Sequence, residues 1–155
     1  MIREQKHRLS PELYCGNIIG AFTACITGRV SILNKIEVFS AISQIFFDSL
    51  NSCGCNAHVY LFMPDHCHLL IQGNDHNSDL LRFMKHFKQR SGFWFSKNIP
   101  GIKWQKDFYD HILRNDEDIK KQVYYILENP VRKRLVDTWK DYPYKGSTIY
   151  NFEEW

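Results

Sequence analysis

Hydrophobic positions along the chain change period several times, and each change marks an element. After a loop at residues 10–17, residues 19–27 read as a strand, and Gly28-Arg29-Val30 turns the chain. Residues 37–50 have helical spacing, with Val38, Ile42, Ile45 and Phe46 inward, and residues 51–56 stop that helix. Residues 58–72 read as two short strands hinged at Met63-Pro64-Asp65. A polar loop follows, with Ser78 as the expected N-cap of a helix reaching about residue 96. Its apolar stripe is Leu80, Phe83, Met84, Phe87, Ser91 and Trp94; Arg82, Lys85, His86 and Gln89 occupy the opposite face. Residues 97–103 form a loop, and residues 105–113 are expected as a strand. Asn115 or Asp116 should cap a last helix in which Ile119, Val123, Ile126 and Leu127 share a face, and Pro130 should end it. The loop-rich tail is expected to pack back on the body.

The order β-α-β-β-α-β-α predicts an α+β fold. It is a ferredoxin-like split βαβ, an antiparallel sheet with helices on one face and an appended helix carrying Tyr125. Length and a 44% hydrophobic content suit a single domain over residues 1–155.

A formal charge of +3 is only mildly basic, so distribution matters more than the total. From residue 82 to residue 106 the chain carries Arg82, Lys85, Lys88, Arg90, Lys97, Lys103 and Lys106 with no Asp or Glu. Arg132-Lys133-Arg134 is a second cluster. Five cysteines are an odd number, no apolar run approaches a membrane span, and the N-terminus is polar. A cytoplasmic protein with reduced thiols, apart from membranes, is the expectation.

The candidate chemistry starts at His66 and His68. Side chains two apart on a strand leave the same face, so these imidazoles form half of a metal site or a pair of surface histidines at a hairpin end. On the last helix Tyr125 and Asn129 are four apart and stack along one stripe, while Tyr124 lies on the opposite flank. Cys53 and Cys55 raise a competing four-ligand zinc set with His66 and His68.

Three blocks occur in order: Met63-Pro64-Asp65-His66-Cys67-His68-Leu69-Leu70, Trp104-Gln105-Lys106-Asp107-Phe108-Tyr109-Asp110-His111, and Tyr125 through Asn129-Pro130-Val131-Arg132. Over about residues 8–147 the chain resembles the REP-associated tyrosine transposases, a branch of the HUH single-tyrosine transposases related to insertion-sequence transposases. The family pattern has a bulky hydrophobic residue between the histidines where this chain has Cys67, which packs as a small hydrophobe.

The resemblance implies that Tyr125 attacks a phosphodiester of single-stranded DNA, forming a 5′-phosphotyrosine link. It further implies that His66, His68 and Asn129 hold one divalent ion, Mg²⁺ or Mn²⁺, with Zn²⁺ or Ni²⁺ as adventitious occupants. Related insertion-sequence transposases place a glutamine where this chain has Asn129. Single-stranded or hairpin DNA is the implied partner, and a monomer or a homodimer the implied state. Arg82, Lys85, Lys88, Arg90, Lys106 and Arg114 are the candidate DNA-binding residues, and Trp104 and Tyr109 are either core residues or stacking surfaces. The alternative from another class is a non-catalytic nucleic-acid-binding module on the same scaffold.

Overall fold

Alternating side-chain direction along two paired strands, buried on both faces, divides the molecule into two cores. In the computed structural model, which describes residues 8–155, the strands are β1 (Ile19–Cys25), β2 (Cys55–Phe62), β3 (His66–Gly73), β4 (Tyr109–Ile112) and β5 (Lys145–Gly146). The helices are α1 (Ile36–Cys53), α2 (Leu80–Asn98), α3 (Ile119–Leu127) and α4 (Asn129–Arg132). The sheet runs β4-β1-β3-β2-β5, with every pairing antiparallel. The first four strands have the ferredoxin-like order, and β5 extends the β2 edge.

Cys67, Leu69 and Ile71 of β3 join Phe22, Ala24, Phe46, Phe83 and Phe87 in one core, beneath α1 and α2. Leu70 instead joins Val59, Leu61, Val123, Ile126 and Leu127 in a second core, on the α3 side. Strand periodicity therefore sends His66 and His68 to the face opposite α1 and α2. A helix of nine residues is marginal by itself in water. Burial of Val123 and Leu127, each stabilising by about 1.5–3 kcal/mol, holds α3 on the sheet.

Several boundaries differ from the sequence expectation. Helix α1 runs through residues 51–53, because Gly54 adopts a left-handed φ of 63° and its N–H returns to the Leu50 carbonyl. Asp79, not Ser78, caps α2, its Oδ1 accepting from the N–H groups of Leu81 and Arg82. Ser78 is buried, donating to the Gly54 carbonyl and accepting from the Asn74 and Asp75 N–H groups. The buried stripe of α2 ends at Phe95, four residues after Ser91; Trp94 is only half-buried.

Strand β4 is four residues long instead of nine. Just upstream only an isolated bridge of Trp104 to Ile26 remains, and the Gln105 and Lys106 carbonyls accept from the Lys88 ammonium, at 2.8 and 2.9 Å, instead of from a neighbouring strand. Asp118 replaces Asn115 and Asp116 as the α3 cap, accepting from the Lys121 N–H. Pro130 does not end the helical course. Glu128 keeps φ −76° and ψ −6°, and Pro130 falls in the first turn of α4, where a missing N–H costs little. The tail packs on α3: Tyr124 lies 5.0 Å from Trp155 and 6.3 Å from Trp139, ring to ring. Among the described residues no helix is long and apolar enough to cross a membrane.

Candidate active site

Strand β3 starts directly after the 63–65 hinge and pairs with β1 so that His66 faces Cys25 and His68 faces Thr23. The two imidazoles point their Nε2 atoms at each other, 3.2 Å apart, with ring planes at 89°. Each Nδ1 has a separate anchor. His66 Nδ1 lies 2.6 Å from Asp65 Oδ1, and His68 Nδ1 lies 2.9 Å from the Thr23 hydroxyl. Asp65 Oδ2 in turn accepts from Arg29 Nε at 2.8 Å.

The carboxylate partner sets the tautomer of His66. A carboxylate only accepts, so His66 carries its proton on Nδ1 and turns an Nε2 lone pair inward. The Thr23 hydroxyl both donates and accepts. It can take the proton of His68 Nδ1 as a hydrogen bond, which leaves the second Nε2 lone pair free as well.

Electrostatics favour the neutral rings. Burial pushes the His66 imidazole below its usual value, although Asp65 pulls the other way. Burial, followed by the nearby His66, Arg132 and Arg29, brings His68 down to about 3. Burial pushes the Asp65 carboxyl up, but hydrogen bonds with Arg29 and His66 outweigh it and hold it low.

Over the histidines lies a cavity of about 470 Å³ lined by Arg29, His66, His68, Tyr125, Asn129, Arg132 and Lys133. Helix α3 contributes Tyr125, whose side chain is largely exposed, and the next helical turn contributes Asn129. The Arg132 guanidinium lies 4.2 Å from the Tyr125 ring centroid. Tyr124 stays on the opposite flank, against the tail.

The donor set fits one divalent ion. Two nitrogens bound to one ion at about 2.1 Å lie no farther apart than about 4.2 Å, and the Nε2 pair meets this limit. An outward Nδ1 bond to a carboxylate or hydroxyl is the usual orienting contact of a histidine ligand. Beside the two histidines, the cavity lining offers the Asn129 side-chain amide as a further oxygen donor.

The four-ligand zinc set is excluded. Cys55 pairs with Gly73, at the end of β3 remote from His66, ~23 Å away at about 3.3 Å per residue. Cys53 and Cys55 sit in the core beneath α1 and α2, on the other face of the sheet. Burial pushes the Cys55 thiol up to about 12, which disfavours the thiolate a metal needs. Cys67 is fully buried in that same core.

The candidate DNA-binding residues lie elsewhere. Arg82, Lys85, Lys88 and Arg90 belong to α2, across the sheet from the histidine pocket. Lys85, Lys88 and Lys106 line a cleft of about 650 Å³ with Arg8, Lys103, Trp104 and Phe108. Arg114 is an exposed side chain 3.5 Å from Glu117. Trp104 is a core residue whose Nε1–H donates to Ser91, whereas Tyr109 is exposed on β4 directly opposite Thr23. The cations at the histidine pocket are Arg29, Arg132 and Lys133. The cluster at 132–134 was visible in the sequence as charge. Arg29 carried no signal beyond its place in a turn, because its approach to His66 depends on the pairing of β1 with β3.

A family model described as "Transposase IS200 like" matches residues 17–129. A REP-associated tyrosine transposase of Escherichia coli is 33% identical over 90 residues, covering 56% of this chain and 51% of that protein. A Haemophilus influenzae protein provisionally given the same name is 30% identical over 100 residues, 54% of each chain. The chain thus spans about half the length of these curated relatives. Among solved structures, that of a REP-associated tyrosine transposase bound to a REP hairpin superposes with a TM-score of 0.76 at 20% identity. That superposition covers 91% of this chain and 81% of the other, and supports the fold.

Proposed function

Because the chain belongs to the IS200-like transposase family, we propose that it cleaves and rejoins single-stranded DNA at hairpin or palindromic repeats through a covalent tyrosine intermediate. The observation that carries this reading is the convergence of Tyr125, His66, His68 and Asn129 on one cavity with three cations.

The Tyr125 oxygen attacks phosphorus, a P–O bond to Tyr125 forms, and the bond from phosphorus to the 3′ oxygen breaks. That oxygen leaves with the electron pair and ends as a 3′-hydroxyl. Rejoining runs the same exchange backwards with a 3′-hydroxyl as nucleophile. A tyrosine pKa of about 10 requires the phenol proton to depart as the oxygen attacks. Arg132 holds the ring, and its charge with that of Lys133 draws the phosphate backbone into the cavity.

His66 and His68 through Nε2, and Asn129 through its side-chain oxygen, would hold one divalent ion, Mg²⁺ or Mn²⁺ in line with the resemblance. When bound it would neutralise and orient the phosphate under attack. Hairpin DNA as partner is supported by the related structure bound to a REP hairpin. The basic cleft with Lys85 and Lys106 is suited to phosphates outside the cleavage site. We take the chain as one cytoplasmic domain able to act as a monomer, since α3 packs on its own sheet.

The test is incubation with a panel of hairpin single-stranded DNAs and Mn²⁺. A covalent protein–DNA adduct mapped to Tyr125 is expected. Tight binding with no adduct on any hairpin would favour a binding module instead.

A further inference from the structure

We propose that Arg29 is a further catalytic residue, which grips the phosphodiester under attack from the side of His66; this rests on the cavity being the cleavage site. Arg29 lines that cavity, whereas Asp65, which anchors its Nε, is not among the lining residues. Asp65 stands between the two residues, one oxygen accepting from Arg29 Nε at 2.8 Å and the other facing His66 Nδ1 at 2.6 Å. A terminal nitrogen of the guanidinium lies 3.5 Å from the same His66 Nδ1. An arginine has five N–H donors in a planar fork, and the Nε bond uses one. The terminal nitrogens remain suited to the paired oxygens of a phosphate.

The backbone adds an independent observation. Arg29 has a φ of 54°, directly after Gly28 at 72°. Side-chain-bearing residues rarely adopt this left-handed conformation, and such strain gathers at functional sites. Glycine or asparagine would hold the same turn more easily, so the turn itself does not call for a guanidinium. The turn is also tied to the segment that launches β3. Ile26 N–H donates to the Asp65 carbonyl, and the Ile32 and Leu33 N–H groups donate to the Pro64 carbonyl. Arg29 and His66 therefore stand on one rigid base. Arg132 already holds Tyr125, so the nucleophile and the phosphate each have a dedicated arginine.

Arg29→Gly relieves the left-handed backbone but loses the ion pair with Asp65, two small opposing effects, so the variant should melt close to the wild-type temperature. Its adduct formation on hairpin DNA with Mn²⁺ should fall in kcat by about 10²–10³-fold, as when one preorganised donor to a developing charge is lost. On DNA carrying a neutral methylphosphonate at the scissile position that deficit should shrink, because less charge needs a partner. A second measurement omits cleavage. Tyr125→Phe protein with and without Arg29→Gly is titrated with the same hairpin at several salt concentrations. Loss of one phosphate contact should lower the slope of log affinity against log salt by about 0.7. A wild-type protein that forms no adduct would end the cleavage reading, while this titration would still decide Arg29. Unchanged cleavage, or equal deficits on both substrates with an unmoved salt slope, would overturn the proposal and leave Arg29 as a partner that only orients Asp65.

Discussion

Arg132 covers the ring of Tyr125, its guanidinium 4.2 Å from the ring centroid, and donates to the Tyr125 carbonyl at 2.6 Å. The two residues are seven apart and meet only because the helical course continues past Pro130 into α4. One arginine thus fixes both the ring and the backbone of a side chain that is otherwise 65% exposed.

Tyr125→Phe keeps the ring, its stacking on Arg132 and the helix, but deletes the oxygen that joins phosphorus. Adduct and strand cleavage should vanish while melting temperature, Mn²⁺ uptake and hairpin binding persist. Tyr124→Phe, on the flank packed against Trp155, should at most lower the rate. An adduct mapped to Tyr124 would refute the assignment.

Arg132→Ala frees the ring and removes a cation from the cavity. Adduct formation should slow by about two- to fivefold, the size of an exposed cation–π contact of about 0.5–1 kcal/mol. Arg132→Lys should recover part of the loss. An unaltered rate in single-turnover measurements would show that the stacking plays no part in attack.

Thr23→Val removes the hydroxyl that orients His68 and nearly preserves side-chain volume. Mn²⁺ affinity, measured calorimetrically, should fall by about 10–100-fold, as on losing other such contacts to ligand histidines. Equal affinity in the variant would mean that His68 needs no orienting partner.

The two histidines also predict a pH dependence. Both have folded values lowered by burial, that of His68 to about 3, whereas an unfolded histidine titrates near 6.5. Between these values the unfolded chain binds more protons, so stability falls as pH drops below about 6.5 and is fully present above it. The melting temperature of the metal-free protein should decline over that window, and His68→Asn should decline less. Parallel profiles for the two proteins would contradict a buried neutral His68.

Lys88 and Lys85, three residues apart on α2, should respond differently. Lys85→Ala together with Lys106→Ala should weaken DNA binding and flatten its salt dependence with little change in melting, because both side chains are exposed at the basic cleft. Lys88→Ala should cost about 1.5–3 kcal/mol of stability, since it strips charged hydrogen bonds from the 105–106 carbonyls. Equal stability of the two variants in urea unfolding would show that these bonds are dispensable.

What the sequence determined by itself is local and periodic. A strand period of two puts His66 and His68 on one face with Leu70 and sends Cys67 to the other. A helical period of 3.6 aligns Tyr125 with Asn129 and turns Tyr124 away. These relations follow from covalent spacing and hold wherever the elements form. The tertiary structure decided what depends on residues far apart in the chain. Pairing of β1 with β3 brought Thr23 to His68 and Arg29 to Asp65, and pairing of β2 with β3 carried Cys55 to the far end of the strand. Sheet sidedness placed the α2 cations opposite the pocket and left it to Arg29, Arg132 and Lys133, although the acid-free run was the stronger charge signal. Helix ends at Asp79, Gly54 and Asp118 were settled by which nearby polar group could reach the free backbone groups once the loops had packed. Hydrophobic spacing records which face of an element is buried, but only the packed chain specifies which charges then stand beside one another.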